Sequence, residues 1–342
     1  MTKRVEARTF VGVDAHSGHC NLRGISRQGK VRLDVEVPTT MKDLRAAVTD
    51  LRGPVWAMLE ASAIAPFVKW ALETRVDRVV VCETRENRWI ARSEDKSDPR
   101  DAERLARLLR MGEFKEVHVP KRDRQELREL VYLCDKSVRD VSRLKTRLKA
   151  KYRAHGIPVK GEAVYSNRGR HEWLEKVKRP TVLFMVESIY DSMDAAEDVR
   201  KALMRRLQGM LRHHPDYRRL KTIPGVGPVT ASLFLGIIDD PWRFPEKRKL
   251  WTYAGLGVSM PWTGSPENAR ARGSKSGNRL LKYGAMIAAK CAVAGDNSFS
   301  RQYSRMKDRG MEPMMALKTI ARKILATALA IWKAKTKYRA TG

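Results

Sequence analysis

The stretch from Thr9 to Cys82 constrains the fold most. Three strand-like segments, TFVGVD, CNLRGI and VRLDVEV, follow one another through glycine-containing turns, and the first is apolar enough to be central in a sheet. Met41 to Leu51 and Pro66 to Thr74 then read as helices, with PVWAMLE and RVVVC as further buried strands. Three consecutive strands followed by alternating helix and strand predict a mixed sheet with helices on its faces. DPRDAERLARLLRM, Asp98 to Met111, carries Ala102, Leu105, Leu108 and Leu109 on one face and closes the domain as a helix.

Beyond Pro120 the pattern changes. Leu127, Val131, Cys134, Val138, Val141, Leu144 and Leu148 recur at three- and four-residue steps, a heptad-like stripe on a charged helix. A second stripe runs Val182, Val186, Ile189, Met193, Ala196, Val199, Leu203, Leu207 and Met210, and the segment between is rich in turn residues. Two long helices joined at a tip, an antiparallel coiled-coil arm, are predicted. The expected division is residues 1–112 for the sheet domain, 113–214 for the arm and 215–342 for a mainly helical domain.

Charge narrows the partners. The 342 residues hold 69 Lys and Arg against 39 Asp and Glu, a net +30, and residues 121–160 alone carry 13 basic residues against 5 acidic. Self-repulsion on that scale calls for a polyanion, and nucleic acid is the expected one. A hydrophobic content of 42% excludes a disordered chain. Cys20, Cys82, Cys134 and Cys291 lie far apart without metal-ligand spacing, so neither a disulfide framework nor a zinc knuckle is expected. The long uncharged run Thr222 to Ile238 contains two prolines and three glycines, and MTKRVEARTF lacks a signal-peptide core; a cytoplasmic protein, without membrane insertion, is the expectation.

Acidic residues supply the first chemistry. Asp14 ends the first strand and Glu60 the fourth, two strands expected side by side. Asp98 and Asp101, three apart, share one face at the start of the closing helix. Four converging carboxylates repel unless a divalent cation joins them, and two Mg²⁺ ions about 3.5 to 4 Å apart can clamp both reacting oxygens of a phosphodiester. Asp98 before Pro99 also reads as a helix N-cap. His16 and His19 sit near Asp14 and read as turn or substrate-side residues, not zinc ligands.

Two glycine-containing segments supply the rest. Ile223, Gly225, Gly227 and Ala231 fit the helix-hairpin-helix pattern hGxGxxxA, in which glycines let backbone N–H groups approach a phosphate; a turn between core helices is the other reading. GSKSGN, from Gly273, precedes an apolar-faced helix, with Arg270, Arg272, Lys275, Arg279 and Lys282 supplying charge for a phosphate. Ser276 or Asn278 also suits as a cap, and a nucleophilic serine needs an activating partner that this stretch does not contain. Trp242, Phe244, Trp251, Tyr253 and Trp262 are suited to base stacking but read better as core, and the tail from Leu317 has an apolar face with seven basic residues for phosphate contact.

FVGVDAHSG, MLEAS, KSDPRDAERLARLL, TIPGVGPVTA, LWTYAGLGVSM and GSKSGNRLLK, in this order, resemble the DEDD transposases of the IS110 and IS1111 type of insertion sequence, relatives of the Piv DNA invertases. The likeness covers roughly residues 9–112 and 220–330. It implies an α/β RNase H-like, RuvC-like N-terminal domain, the fold whose element order the first strands already follow, and a transposase domain at the C-terminal end. Asp14, Glu60, Asp98 and Asp101 would be its DEDD metal-binding residues. Ser274 would be the nucleophile, with Ser276 an alternative because this chain reads G-S-K-S-G-N where the family has I-S-K-x-G-N. The resemblance also implies a bridge RNA, donor and target DNA, and a homodimer or homotetramer, in a bacterial cytoplasm at the nucleoid. The implied reaction is Mg²⁺-dependent strand cleavage and exchange through a phosphoserine, at a site shared by separate domains. Two other readings stand beside it: a Holliday-junction-resolvase-like nuclease using water, and a non-catalytic nucleic-acid-binding protein.

Overall fold

The computed structural model describes residues 7–83, 98–112, 114–259, 272–273 and 276–340. The chain divides into two compact units, Met1–Gln125 and Glu126–Gly342.

The first unit is built on five strands: β1 (Thr9–Ala15), β2 (His19–Ser26), β3 (Val31–Pro38), β4 (Val55–Glu60) and β5 (Arg78–Cys82), all on the predicted segments. The sheet order is β3-β2-β1-β4-β5. β2 pairs antiparallel with β1 and β3, whereas β1, β4 and β5 are parallel, which makes the sheet mixed. Alternation along the strands sorts residues between two cores. Val11 and Val13 of β1 and Ala57 and Leu59 of β4 pack with α1 (Met41–Thr49) and α2 (Ala65–Leu72) on one face. Phe10 and Met58 pack on the other face with Leu105, Ala106 and Leu109 of α3 (Asp98–Met111). Gly12 explains how close α3 comes: a Cβ there would stand 1.8 Å from the Ala102 carbonyl oxygen, so only glycine admits the helix backbone. At the other end of α3, Arg110 donates to the Arg27 carbonyl at 3.3 Å, beside the β2–β3 turn. Since Thr9 pairs with Ser26 there, α3 runs antiparallel to β1 and starts at the strand's C-terminal end.

The second unit is helical. α4 (Arg122–Ala154) and α6 (Pro180–Leu211) are its longest helices. Leu127, Val131 and Cys134 share a core with Leu207 and Leu211, whereas Leu148 and Tyr152 share another with Val186, Ile189 and Tyr190. That exchange of ends makes the two antiparallel. Between them a 3₁₀ turn (Ala163–Tyr165) and α5 (Arg170–Leu174) form the connection. The predicted stripes are mostly buried, but Val138 is 43% exposed, Val199 57% and Met210, at the end of the second stripe, 40%. A cavity of about 460 Å³ opens beside the middle of the stripes, lined by Val138, Met204 and Leu233 among others.

The remaining elements are α7 (Pro215–Leu220), α8 (Pro228–Ile238), a 3₁₀ turn (Pro241–Arg243), α9 (Lys247–Tyr253), the two-residue strands β6 (Val258–Ser259) and β7 (Arg272–Gly273), α10 (Arg279–Val293), α11 (Ser298–Asp308) and α12 (Pro313–Ala334). α8 is apolar nearly all round, so it is central: every residue from Thr230 to Ile238 is buried. α12 lies in the same core through Ile320, Ala321, Ile324, Leu325 and Ala328, making most of the basic tail an internal helix. Among the described residues no helix is long and apolar enough to cross a membrane.

Candidate active site

Asp14 and Glu60 stand one step beyond the last paired residues of two adjacent parallel strands, Val13 and Leu59. Both have the strand parity of Phe10, Gly12 and Met58, so both belong to the sheet face that α3 covers. The helix begins at that end of β1, with Asp98 as its first residue and Asp101 one turn on. One end of one sheet face therefore carries Asp14, Glu60 and the first turn of α3. Glycine at position 12 is the residue that sequence reasoning passed over; a glycine inside an apolar strand is the signal of such an approach.

The surroundings of these acids differ. The His16 ring donates from Nε2 to Asp14 Oδ2 at 3.1 Å and stacks on His19 with ring centroids 5.3 Å apart. The His16 N–H bonds the His19 carbonyl at 3.0 Å, so HSGH is a turn. Asp101 accepts from Arg104 at 2.8 Å. Glu60 pairs in register with Cys82, whose thiol is pushed up to about 11 by burial first and the Glu60 charge second, so it stays protonated near neutral pH. Asp34 and Asp43 serve structure: Asp34 is ion-paired with Arg23, and Asp43 joins Thr40 in capping α1. All four cysteines are free. Among the described residues no three His, Cys, Asp or Glu side chains cluster as a metal site would, and the Asp98 side chain lies outside those residues. As donors the acids at this edge are hard oxygens, the chemistry that suits Mg²⁺.

In the second unit Ser274, Lys275, Arg270 and Trp262 lie outside the described residues, as does the side chain of Arg272. The flanks are well defined. Val258 pairs with Gly273 and Ser259 with Arg272, and Ser274 follows directly in the chain. Asn278 caps α10 by accepting from the Leu281 N–H at 2.9 Å, a role its sequence position suited. Its Nδ2 donates to the Tyr132 hydroxyl at 2.6 Å, and its N–H to the Tyr253 carbonyl at 2.7 Å. Gly277, at φ +123°, lies so close to Gly255 that a Cβ would meet the Gly255 nitrogen at 2.4 Å. Tyr132 is 146 residues from Asn278, and nothing in its local sequence announces the contact. Arg279 is exposed in the first turn of α10 and Lys282 partly buried.

The glycines of IPGVG part company. Gly225, at φ +80°, lies against α10, where a Cβ would meet the Ala288 carbonyl oxygen at 2.1 Å; Gly227 precedes α8 with open space on its Cβ side. Phe244 is buried and Trp251 and Tyr253 partly so, the core placement expected, but Trp242 is 69% exposed.

A mixed five-stranded sheet with acids at one edge, followed by a helical region, fits an RNase H-like layout of the kind found in DNA-recombining enzymes. The transposase profile of the DEDD, IS110 type matches residues 11–154, and that of the transposase IS116/IS110/IS902 family matches residues 217–304. The chain belongs to the IS110 family of DEDD transposases. It is 29% identical over 158 residues to the "Insertion element IS110 uncharacterized 43.6 kDa protein" of Streptomyces coelicolor, covering 46% of this chain and 39% of that protein. Against the "Probable family 20 transposase" of Pseudomonas aeruginosa it is 22% identical over 258 residues, covering 72% of this chain and 74% of that one. The chain thus spans about two fifths of the Streptomyces relative's length.

Proposed function

We propose that the protein is a DNA transposase that cleaves and exchanges strands through a phosphoserine. The observation that carries this reading is the adjacency of Asp14 and Glu60 at the ends of parallel β1 and β4, on the face where α3 begins, in a chain that matches the transposase profiles in both units. DEDD transposases are in general metal-dependent, and Asp14, Glu60, Asp98 and Asp101 are the residues that would hold Mg²⁺, two ions in our reading. Bound there, the metal would supply charge neutralisation at the scissile phosphate.

The chain's own residues have separate tasks. The Ser274 oxygen attacks phosphorus, the serine O–P bond forms as the P–O3′ bond breaks, and the proton lost by serine is balanced by the one that the departing 3′-hydroxyl takes up. Bond energy is kept in the phosphoserine, so religation needs no nucleotide. Asn278 and Gly277 anchor the C-terminal end of the serine loop, while Arg270, Arg272, Lys275, Arg279 and Lys282, with Gly225 and Gly227, are assigned to the nucleic-acid backbone. A bridge RNA and a homodimeric or homotetrameric assembly complete the proposal, supported by the family resemblance and by a net charge of +30.

The test is mass spectrometry of the chain trapped on element-end DNA with Mg²⁺. A nucleotide on the GSKSGN peptide, lost in Ser274→Ala and kept in Ser276→Ala, is the expected result. Cleavage that survives Ser274→Ala, with no adduct at any stage, would replace this reading by the water-using nuclease.

A further inference from the structure

We propose that Trp242 is a stacking platform for an unpaired base of single-stranded DNA. Tryptophan is highly buried on average, but Trp242 is 69% exposed while both of its chain neighbours are held in place. Pro241 is buried, and the Asp240 carboxylate accepts from the Trp242 N–H at 2.9 Å, which caps the 3₁₀ turn. On the other side Phe244 is buried, and Arg243 donates to the Ile238 carbonyl at 2.6 Å. The indole is thus displayed on a turn fixed from both sides, and little order remains to be gained when a ligand docks.

The surroundings select the ligand. Lys333 lies 5.1 Å above the Trp242 ring and is tied down by donating to the Phe244 carbonyl at 2.6 Å. α12 packs against both the 3₁₀ turn and α9, and residues 240–249 of that turn and helix together with Lys333 hold five Lys and Arg against two acids. A protein partner for an exposed tryptophan would want apolar neighbours around it; here the neighbours are cations. An aromatic face amid cations fits a strand whose bases are unstacked, with phosphates on either side. Duplex DNA presents no free base faces, whereas strand exchange, the reading on which this inference rests, leaves unpaired DNA to be held.

The experiment uses the full chain without Mg²⁺, so that no cleavage enters, and follows the anisotropy of labelled oligothymidylate of about twelve nucleotides. Trp242→Ala should weaken binding about tenfold and Trp242→Phe no more than about threefold, with duplex affinity of either variant changed less than about twofold. The melting temperature should move little, because most of the removed surface is already in water. An unchanged affinity for oligothymidylate, an equal loss on duplex, or a loss confined to oligouridylate would each overturn the proposal. Because this assay reads binding without Mg²⁺ and the peptide mass measurement reads covalent capture, a failure of the platform and a failure of the serine mechanism are told apart.

Discussion

At the scale of single residues, the acidic edge depends on an absent side chain. The α3 backbone presses on β1 at Gly12, where a Cβ would stand 1.8 Å from one backbone atom and 2.5 Å from another. Neither neighbour is a flexible side-chain end, so the helix itself has to move. Gly12→Ala should therefore cost about 3 kcal/mol, at the high end of overpacking penalties, and displace the helix start from Asp14 and Glu60. Gly18→Ala is the control: nothing lies within 4 Å of its Cβ position, and a change of at most about 0.5 kcal/mol is expected. Urea denaturation of both variants measures the difference. The strand order implied by the succession of elements, with strands one and four side by side, made Asp14 and Glu60 legible as neighbours from sequence. It had no means of showing the bond from Asn278 to Tyr132, since a helix-surface tyrosine and a loop asparagine carry no pattern that links them.

Among the elements, the junction of α4 and α6 turns on two buried hydroxyls. Tyr190 donates to the Val164 carbonyl at 2.8 Å, which uses its one hydrogen, so Tyr152 is the donor across the 3.3 Å contact between the two tyrosines. The consequence is an asymmetry. Tyr152→Phe removes one long neutral bond and should cost about 0.5 to 1 kcal/mol; Tyr190→Phe leaves both the Tyr152 hydroxyl and the Val164 carbonyl without this partner and should cost about 2 to 3 kcal/mol. Thermal melts of the two variants check the order, and equal losses would refute the donor assignment. The stripes that announced α4 and α6 mark which face is apolar, but burial needs an opposing surface. Beside the cavity lined by Val138 and Met204 the opposing surface is partly withdrawn, leaving Val138 in contact with solvent. The tail follows the same rule: its apolar face, Leu317, Ile320, Leu325 and Leu329, docks α12 into the core as its spacing predicted. Its cations lie on the flanks of a helix whose apolar face decides where it goes.

Over the whole molecule, positive charge governs what binds. A net +30 spread over 342 residues favours any polyanion that displaces its own counterions on binding. If six or more phosphates are contacted, affinity for duplex DNA should fall about a thousandfold between about 50 and about 200 mM salt. Anisotropy titrations across that range give the slope of log affinity against log salt, and a slope shallower than about −3 would mean that few of these cations meet phosphate. The Trp242 platform predicts a second, salt-independent share for single strands, since stacking releases no counterions.

Local pattern by itself determined the five strands, the faces of α3, α4 and α6, the acids Asp14 and Glu60 at neighbouring strand ends, and the class of partner that so much positive charge requires. Those properties follow from periodicity, which acts over a few residues, and from composition, which acts over all of them. Tertiary structure alone decided that α3 lies against β1 at Gly12, that Tyr132 holds Asn278 and that Trp242 is exposed. Each of these is a contact between segments distant in the chain, where backbone approach and available volume choose the neighbour, and neither is encoded in the spacing of residues along the sequence.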